Sequence, residues 1–537
     1  MPRLALSLIS FCATLLRQAW GRPAAPRRCV GRRCVGRRCV GRRGIALLAI
    51  GLPALITGCA VGPDFKTPPA PDATSYTAHD DAATAPGAQR LQAGVDIPAQ
   101  WWRLFQSDAL DQLVRQALEA SPTLAQARAK LRQASADLDA ETGGRLLPSV
   151  DADLSAKRQK VDPSAYGVPV AELPPPFTLY NASINVSYTL DVFGGNRRAL
   201  EGMAAQVDYQ AHELQAARMS LAANVVTAAI RQADLSERLA ATRDLLAAQV
   251  RQQDIMRQRV AAGGVAKADL SNQELLVAQT RATLPPLEKQ LSQTTHQLAV
   301  YLGLPPAALR TPPLRLADLR LPADIPTGVP SALTRQRPDI LAAEALWHQA
   351  SADVGVATAN QYPQFTLTGS FGSQRTSAGD LSDGVNVWSL GLGLVQPLFR
   401  GGELRARKRS AEAAYEAAAA AYQQTVLDGF RQVADALRAV QTDADSYAAY
   451  DDAWRRAADA ERIAQGRYQA GGISHQSLLD SQRQLLQTQI ARTEADAARY
   501  ADTAALLQAL GGGWWNEPAA TPAMGPSTVS APVAASP

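Results

Sequence analysis

The residues of this 537-residue chain best equipped for chemistry are five histidines, His79, His212, His296, His348 and His475, and five cysteines, Cys12, Cys29, Cys34, Cys39 and Cys59. The histidines are scattered. No nucleophile elbow, phosphate-binding loop or carboxylate cluster accompanies them, so no catalytic constellation emerges. We expect no enzyme, no cofactor and no metal site. His475, close to a glycine turn, reads as a surface residue and not as a metal ligand. The cysteines all precede residue 60, which excludes structural disulfides and Cys-based metal or redox centres from the rest of the chain. Three of them form a tandem, "RRCVGRRCVGRRCVGRRG" at 27–44, without the acidic or histidine neighbours that would complete a metal site. One further pair has definite chemistry. Asp480 and Arg483, in "LLDSQR", are three residues apart and share one side of a helix, where they can form an ion pair.

Charge divides the chain at the same place as cysteine. Residues 1–58 hold eleven arginines and no acidic residue; setting them aside turns the net charge of +5 into −6 for the remainder. The apparent basicity therefore gives no case for nucleic-acid binding. A positive start, an apolar stretch from Ile45 to Ile56 and small residues before Cys59 have the layout of a secretory signal. The stretch is too short to span a bilayer as a helix. "LITGC" (55–59) resembles the bacterial lipobox, which implies cleavage before Cys59 and acylation of that cysteine. Ala60, in place of the aspartate that retains many such lipoproteins at the inner membrane, implies the outer membrane. A 58-residue leader is long, and initiation at Val30, Val35 or Val40 through an alternative codon would shorten it.

The elements that must position these residues come in two copies. "SPTLAQARAKLRQASADLDA" (121–140) matches "RPDILAAEALWHQASADVGV" (337–356), and "LLPSVDADLS" from Leu146 matches "QYPQFTLTGS" from Gln361. "DVFGGNRR" from Asp191 answers "PLFRGGELR" from Pro397, and "RVAAGGVAKADL" from Arg259 answers "RYQAGGISHQSLL" from Arg467. "YLG" ending at Gly303 answers "ALG" ending at Gly511. Each copy reads helix, strand, strand, long helix, tight turn, helix. Met203–Ala262 contains neither Gly nor Pro, and Glu403–Gln465 is interrupted only by Gly429. Sixty helical residues span about 90 Å, more than a globular core requires. Such lengths suit a coiled coil or a helical tube, while an amphipathic bundle with a sealed core stays open as the alternative. The return limbs Val265–Leu302 and Ile473–Leu510 match in length, and Pro285-Pro286 predicts a kink in the first.

Four stretches alternate with period two: 149–156, 180–190, 364–372 and 385–396. In the second, Tyr180, Ala182, Ile184, Val186, Tyr188 and Leu190 oppose Asn181, Ser183, Asn185, Ser187, Thr189 and Asp191. A four-stranded soluble sheet packed on helices is one reading. The other is a membrane barrel, since each strand is about ten residues long, as a tilted spanning strand needs to be. Four strands cannot close alone, so copies must pool them. Two chains give eight strands, which fill their interior with side chains, and three give twelve, which leave room for a pore. The small polar face favours twelve.

Together, the lipobox, the duplication, "LDVFGGNRR", "QPLFRGGELRA" and "RYQAGGISHQSLLDSQRQLLQTQ" resemble the TolC/OprM outer-membrane efflux factors, particularly their NodT-type lipoproteins, over residues 60–511. The resemblance implies a fold of mixed α and membrane β, a homotrimeric twelve-stranded barrel continued by a long periplasmic α-helical tunnel built from two tandem repeats. It implies the exit duct of a tripartite efflux pump passing small molecules such as drugs, with a periplasmic adaptor and an inner-membrane transporter of RND type as partners. It places adaptor contact at the turns Gly263-Gly264 and Gly471-Gly472, and a periplasmic gate at Asp480, Arg483, Asp269 and Tyr468. Asp480 matches one of two ringed aspartates; Ser477 holds the companion position, and Ile473 replaces the family's gating arginine. Three Asp480 carboxylates would form a cation-attracting constriction.

The expected organisation is a signal region (1–58), a lipidated extended segment (59–105), a first repeat (106–315), a linker (316–329), a second repeat (330–511) and a disordered Pro/Ala/Ser-rich tail (512–537). The "WWRLF" patch suggests apolar anchoring of the extended segment along the tunnel's exterior. Within transport, type I protein secretion and heavy-metal efflux are alternatives, and a lipid-anchored periplasmic scaffold is the rival outside it.

Overall fold

The computed structural model describes residues 60–72, 75–77, 89–160, 162, 167, 175–310 and 312–517. The expected leader, the expected lipidation site Cys59 and the tail beyond residue 517 lie outside the described residues. In chain order the labelled elements are β1 (Arg90–Ala93), α1 (Asp108–Ala120), α2 (Pro122–Leu146), β2 (Ser149–Gln159), β3 (Phe177–Leu190), α3 (Gly195–Ala261) and α4 (Lys267–Tyr301). They continue with β4 (Asp324–Gly328), α5 (Pro338–Ala359), β5 (Gln364–Arg375), β6 (Val387–Val395), α6 (Glu403–Gln469) and α7 (His475–Ala509).

Helices α3 and α6 each run 67 residues, and their return partners α4 and α7 each run 35. Helix α4 continues through Pro285 and Pro286 without interruption. Helix α6 likewise tolerates Gly429, and the reason is packing: a Cβ there would meet Ile340 Cδ1 at 3.3 Å and Arg337 Nε at 3.4 Å. Each long helix begins behind a left-handed glycine, Gly194 at φ 78° and Gly402 at φ 86°, which turns the chain out of a strand. At the first of these, Asp191 accepts from the backbone N–H groups of Asn196 (3.0 Å) and Arg197 (2.9 Å), placing an acceptor and a negative charge at the helix start. That is the structural content of "LDVFGGNRR".

β2, β3, β5 and β6 form one antiparallel sheet in that order. The register decides what each face carries. Val150, Val186, Gly369 and Leu390 form one row across all four strands, and Ala152, Ile184, Phe371 and Trp388 another. One step along, Asp151, Asn185, Ser370 and Ser389 form a row on the opposite face. The alternation seen in single strands is thus kept in phase over the whole sheet. In the lone chain the apolar face lies open, with Trp388 at 76% and Leu154 at 78% exposure. No helix among the described residues is long and apolar enough to cross a membrane.

The main core lies where the middle stretches of the long helices meet the N-terminal segment. Val225, Val226 and Ile230 of α3 pack with Leu110 and Val114 of α1, Val433 of α6, Leu507 of α7 and the buried Trp101 and Phe105. The aromatic residues of "WWRLF" are therefore buried against the long helices. The chain around it and the expected linker also pair: β1 and β4 form a short parallel ladder, Arg90 opposite Asp324, with an ion pair between those two residues at 2.9 Å.

Candidate functional site

The two hairpin tips share one geometry. At the end of α3, Gly264 N–H donates to Arg259 O (2.8 Å) and Gly263 N–H to Val260 O (3.0 Å). At the end of α6, Gly472 N–H donates to Arg467 O (2.8 Å) and Gly471 N–H to Tyr468 O (3.0 Å). Both are Schellman closures, in which the first glycine must adopt positive φ; Gly263 sits at 73° and Gly471 at 75°. The second glycines carry no such demand. Helix α7 then starts with Ser474 as N-cap, its Oγ accepting from Ser477 N–H at 3.2 Å. The two hydroxyls also bond, at 2.9 Å, so Ser477, in the companion position to Asp480, belongs to the cap.

Asp480 and Arg483 pair as the spacing predicts, Arg483 Nη1 donating to Asp480 Oδ1 at 3.2 Å. Gln476 Nε2 donates to the same oxygen at 3.1 Å. The carboxylate is exposed, so this pair contributes little to stability by itself and leaves its charge available to solvent. Tyr468 does not join it. Its hydroxyl donates to Met256 Sδ across the hairpins at 3.4 Å, and its ring lies 5.2 Å from that of His475.

His475 overturns the surface reading. It is buried, and Nε2 lies 3.1 Å from Gln273 Oε1 on α4. Gln273 in turn donates to Gln249 O on α3 at 2.9 Å. Burial pushes the imidazole below its ordinary range, and Asp269, half-buried on α4, opposes the shift. The structure thus gathers Tyr468, Met256, His475 and Gln273 into one joint between hairpins, with Asp269 beside it and the Asp480–Arg483 pair separate and exposed. The signal for His475 was its place directly behind the cap Ser474; its burial depends on α4 and could not be read locally.

At the other end of the long helices, the chain just after Cys59 is pinned to the junction of sheet and helices. Val61 N–H donates to Phe193 O at 3.1 Å, and Phe65 stacks on His348 with centroids 4.6 Å apart. The buried Arg198 donates to Asp64, to Glu201 (2.8 Å) and to Val61 O (3.4 Å). Ala60 lies so close to Gly194 that a Cβ on that glycine would fall 2.6 Å from Ala60 Cα. The backbone next to Cys59 is therefore held where β3 hands over to α3.

Comparison with known proteins assigns this architecture to a class. The family model described as outer membrane efflux protein matches residues 113–304 and 329–512, and the chain belongs to that family, which consists of transport channels and not enzymes. It is an outer-membrane efflux component. The chain is 34% identical over 433 residues to the pyoverdine export outer membrane protein OpmQ of Pseudomonas putida, covering 80% of this chain and 91% of that one. It is 33% identical to the outer membrane protein OprJ of Pseudomonas aeruginosa, covering 87% and 96%. Among solved structures, the outer-membrane channel OprN superposes with a TM-score of 0.76 at 29% identity, covering 85% of this chain and 100% of that one.

Proposed function

We propose that three copies of this chain pool β2, β3, β5 and β6 into a twelve-stranded barrel, continued into the periplasm by a tunnel of α3, α4, α6 and α7 from two tandem repeats. The carrying observation is the sheet register. It keeps an apolar and a polar face in phase over four strands while leaving both outer edges unpaired among the described residues. Open edges are untenable in lipid, so closure needs other copies. The helices, at 67 residues, reach about 100 Å. The split of the family match into two stretches, and the paired helix lengths, support the duplication.

In this reading the barrel is the exit duct of a tripartite pump. The tips Gly263-Gly264 and Gly471-Gly472 meet a periplasmic adaptor, an inner-membrane transporter of RND type drives the cargo, and acyl chains on Cys59 anchor the junction in the outer membrane. Small molecules are the favoured cargo over secreted proteins or metal ions, because relatives are named for pyoverdine export and for antibiotic and toluene efflux. The closed state is held at the tips, by Asp480 with Arg483 and by the Tyr468 contact, with Asp269 alongside. Native mass spectrometry of the lipidated protein, with planar-bilayer recording, tests the reading: a trimer that conducts supports it, and a non-conducting monomer in folded, inserted protein supports the scaffold instead.

A further inference from the structure

The register brings the start of β2, the end of β3, the start of β5 and the end of β6 to one end of the sheet, from which the helices leave. Beyond this end each outer strand is flanked by an apolar pair. Leu146 and Leu147 precede β2, at 43% and 64% exposure. Leu398 and Phe399 follow β6, at 93% and 88% exposure. Two bulky residues so fully uncovered have no partner among the described residues of their own chain that hides them.

We propose that Leu398 and Phe399 of one chain pack against Leu146 and Leu147 of the next, forming an apolar latch at the foot of each seam between subunits. This rests on the trimeric reading above and adds what fixes each seam. Antiparallel pairing throughout the sheet makes β2 and β6 run in opposite directions, so β6 of one copy can add antiparallel to β2 of another. Setting the foot of β6, Val395, opposite the foot of β2, Ser149, overlaps the two strands along the whole of β6 and brings Leu398 and Phe399 of one copy alongside Leu146 and Leu147 of the next. The faces agree as well, since Leu390, Leu392 and Leu394 lie on the same face as Val150, Ala152 and Leu154. Backbone ladders alone leave one ambiguity. A slip by one residue reverses the faces, but a slip by two preserves them. Such a slip moves the strands by about 7 Å and carries Leu398 and Phe399 away from Leu146 and Leu147. The latch selects one register among those the face pattern allows.

Disulfide trapping tests it. Leu147 and Leu398 of a single chain lie at least three strand spacings apart, about 14 Å, beyond the reach of a disulfide. No cysteine follows Cys59, so the double variant Leu147→Cys with Leu398→Cys, oxidised in membranes, links only between copies. The expected result is covalent dimers and trimers on denaturing gels, lost on reduction and absent from either single variant. Leu146→Cys with Phe399→Cys is the second pair should the first disturb assembly. Protein that is trimeric by native mass and conducts, yet gives no covalent product from either pair, overturns the latch and leaves the duct standing. Wild-type protein that is monomeric and silent overturns both.

Discussion

His475 on α7 is joined to Gln273 on α4 by a buried hydrogen bond of 3.1 Å, which ties the second hairpin to the first beside their glycine tips. In the tautomer that donates from Nε2, the Nδ1 atom is buried and without a hydrogen-bond partner, so adding a proton there meets no acceptor. The folded pKa is lowered, hence the unfolded chain binds the proton more readily and stability falls as pH drops below the ordinary histidine value, near 6.5. Spin labels on Val265→Cys and Ile473→Cys read this directly. Their distance distribution broadens on acidification in the wild-type background and does so far less with His475→Gln.

Gly263→Ala and Gly471→Ala each force a side chain into the left-handed region, at a cost of about 1–2 kcal/mol. Open space surrounds both positions, so the penalty is conformational and not steric. Gly264→Ala and Gly472→Ala, where φ is not positive, cost less. Hydrogen exchange at residues 259–264 and 467–472 measures the difference, with faster exchange expected in the first pair and near wild-type rates in the second.

Asp443 on α6 hydrogen-bonds Asp502 on α7, and burial together with that neighbour pushes its pKa up to about 7. A raised carboxyl pKa holds its stabilising share at low pH and loses it as pH rises from about 4 toward 7. Asp443→Asn supplies the neutral form at every pH. The variant melts above wild type at pH 8, and the gap narrows as pH approaches 4. An equal gap at both values contradicts the shared proton.

Arg198 fastens the N-terminal strap through Asp64, Glu201 and Val61 O. Replacing it by alanine removes charge-assisted bonds worth about 1–3 kcal/mol together, because the Asp64 and Glu201 carboxylates regain water. Trypsin then cuts at Lys66 well before the rest of the folded chain, whereas wild type resists cleavage there.

The strands and long helices were legible because their patterns are local. Period two in 180–190 and a proline-free Met203–Ala262 state their own geometry. Boundaries slipped where pairing outlasts pattern: β2 continues through Lys157, Arg158 and Gln159 because Leu179, Thr178 and Phe177 lie opposite them. The β1–β4 ladder was not legible at all. "RLQA" and "DIPTG" are short, the second carries a proline, and they lie more than two hundred residues apart, so only the folded core brings them together. At the tips the glycines and the Asp480–Arg483 pair followed from spacing. The joint of Tyr468 with Met256 and of His475 with Gln273 did not, since each bond crosses between hairpins.

The central claim is a duct held shut at these tips. Single-channel recording of the protein purified from membranes, in planar bilayers, comparing wild type with Asp480→Ala combined with Tyr468→Phe, tests it most directly. A small, mostly closed conductance that rises in the double variant is the predicted result. Equal conductance in both, or silence from both in folded and inserted protein, contradicts a gate at Asp480 and Tyr468.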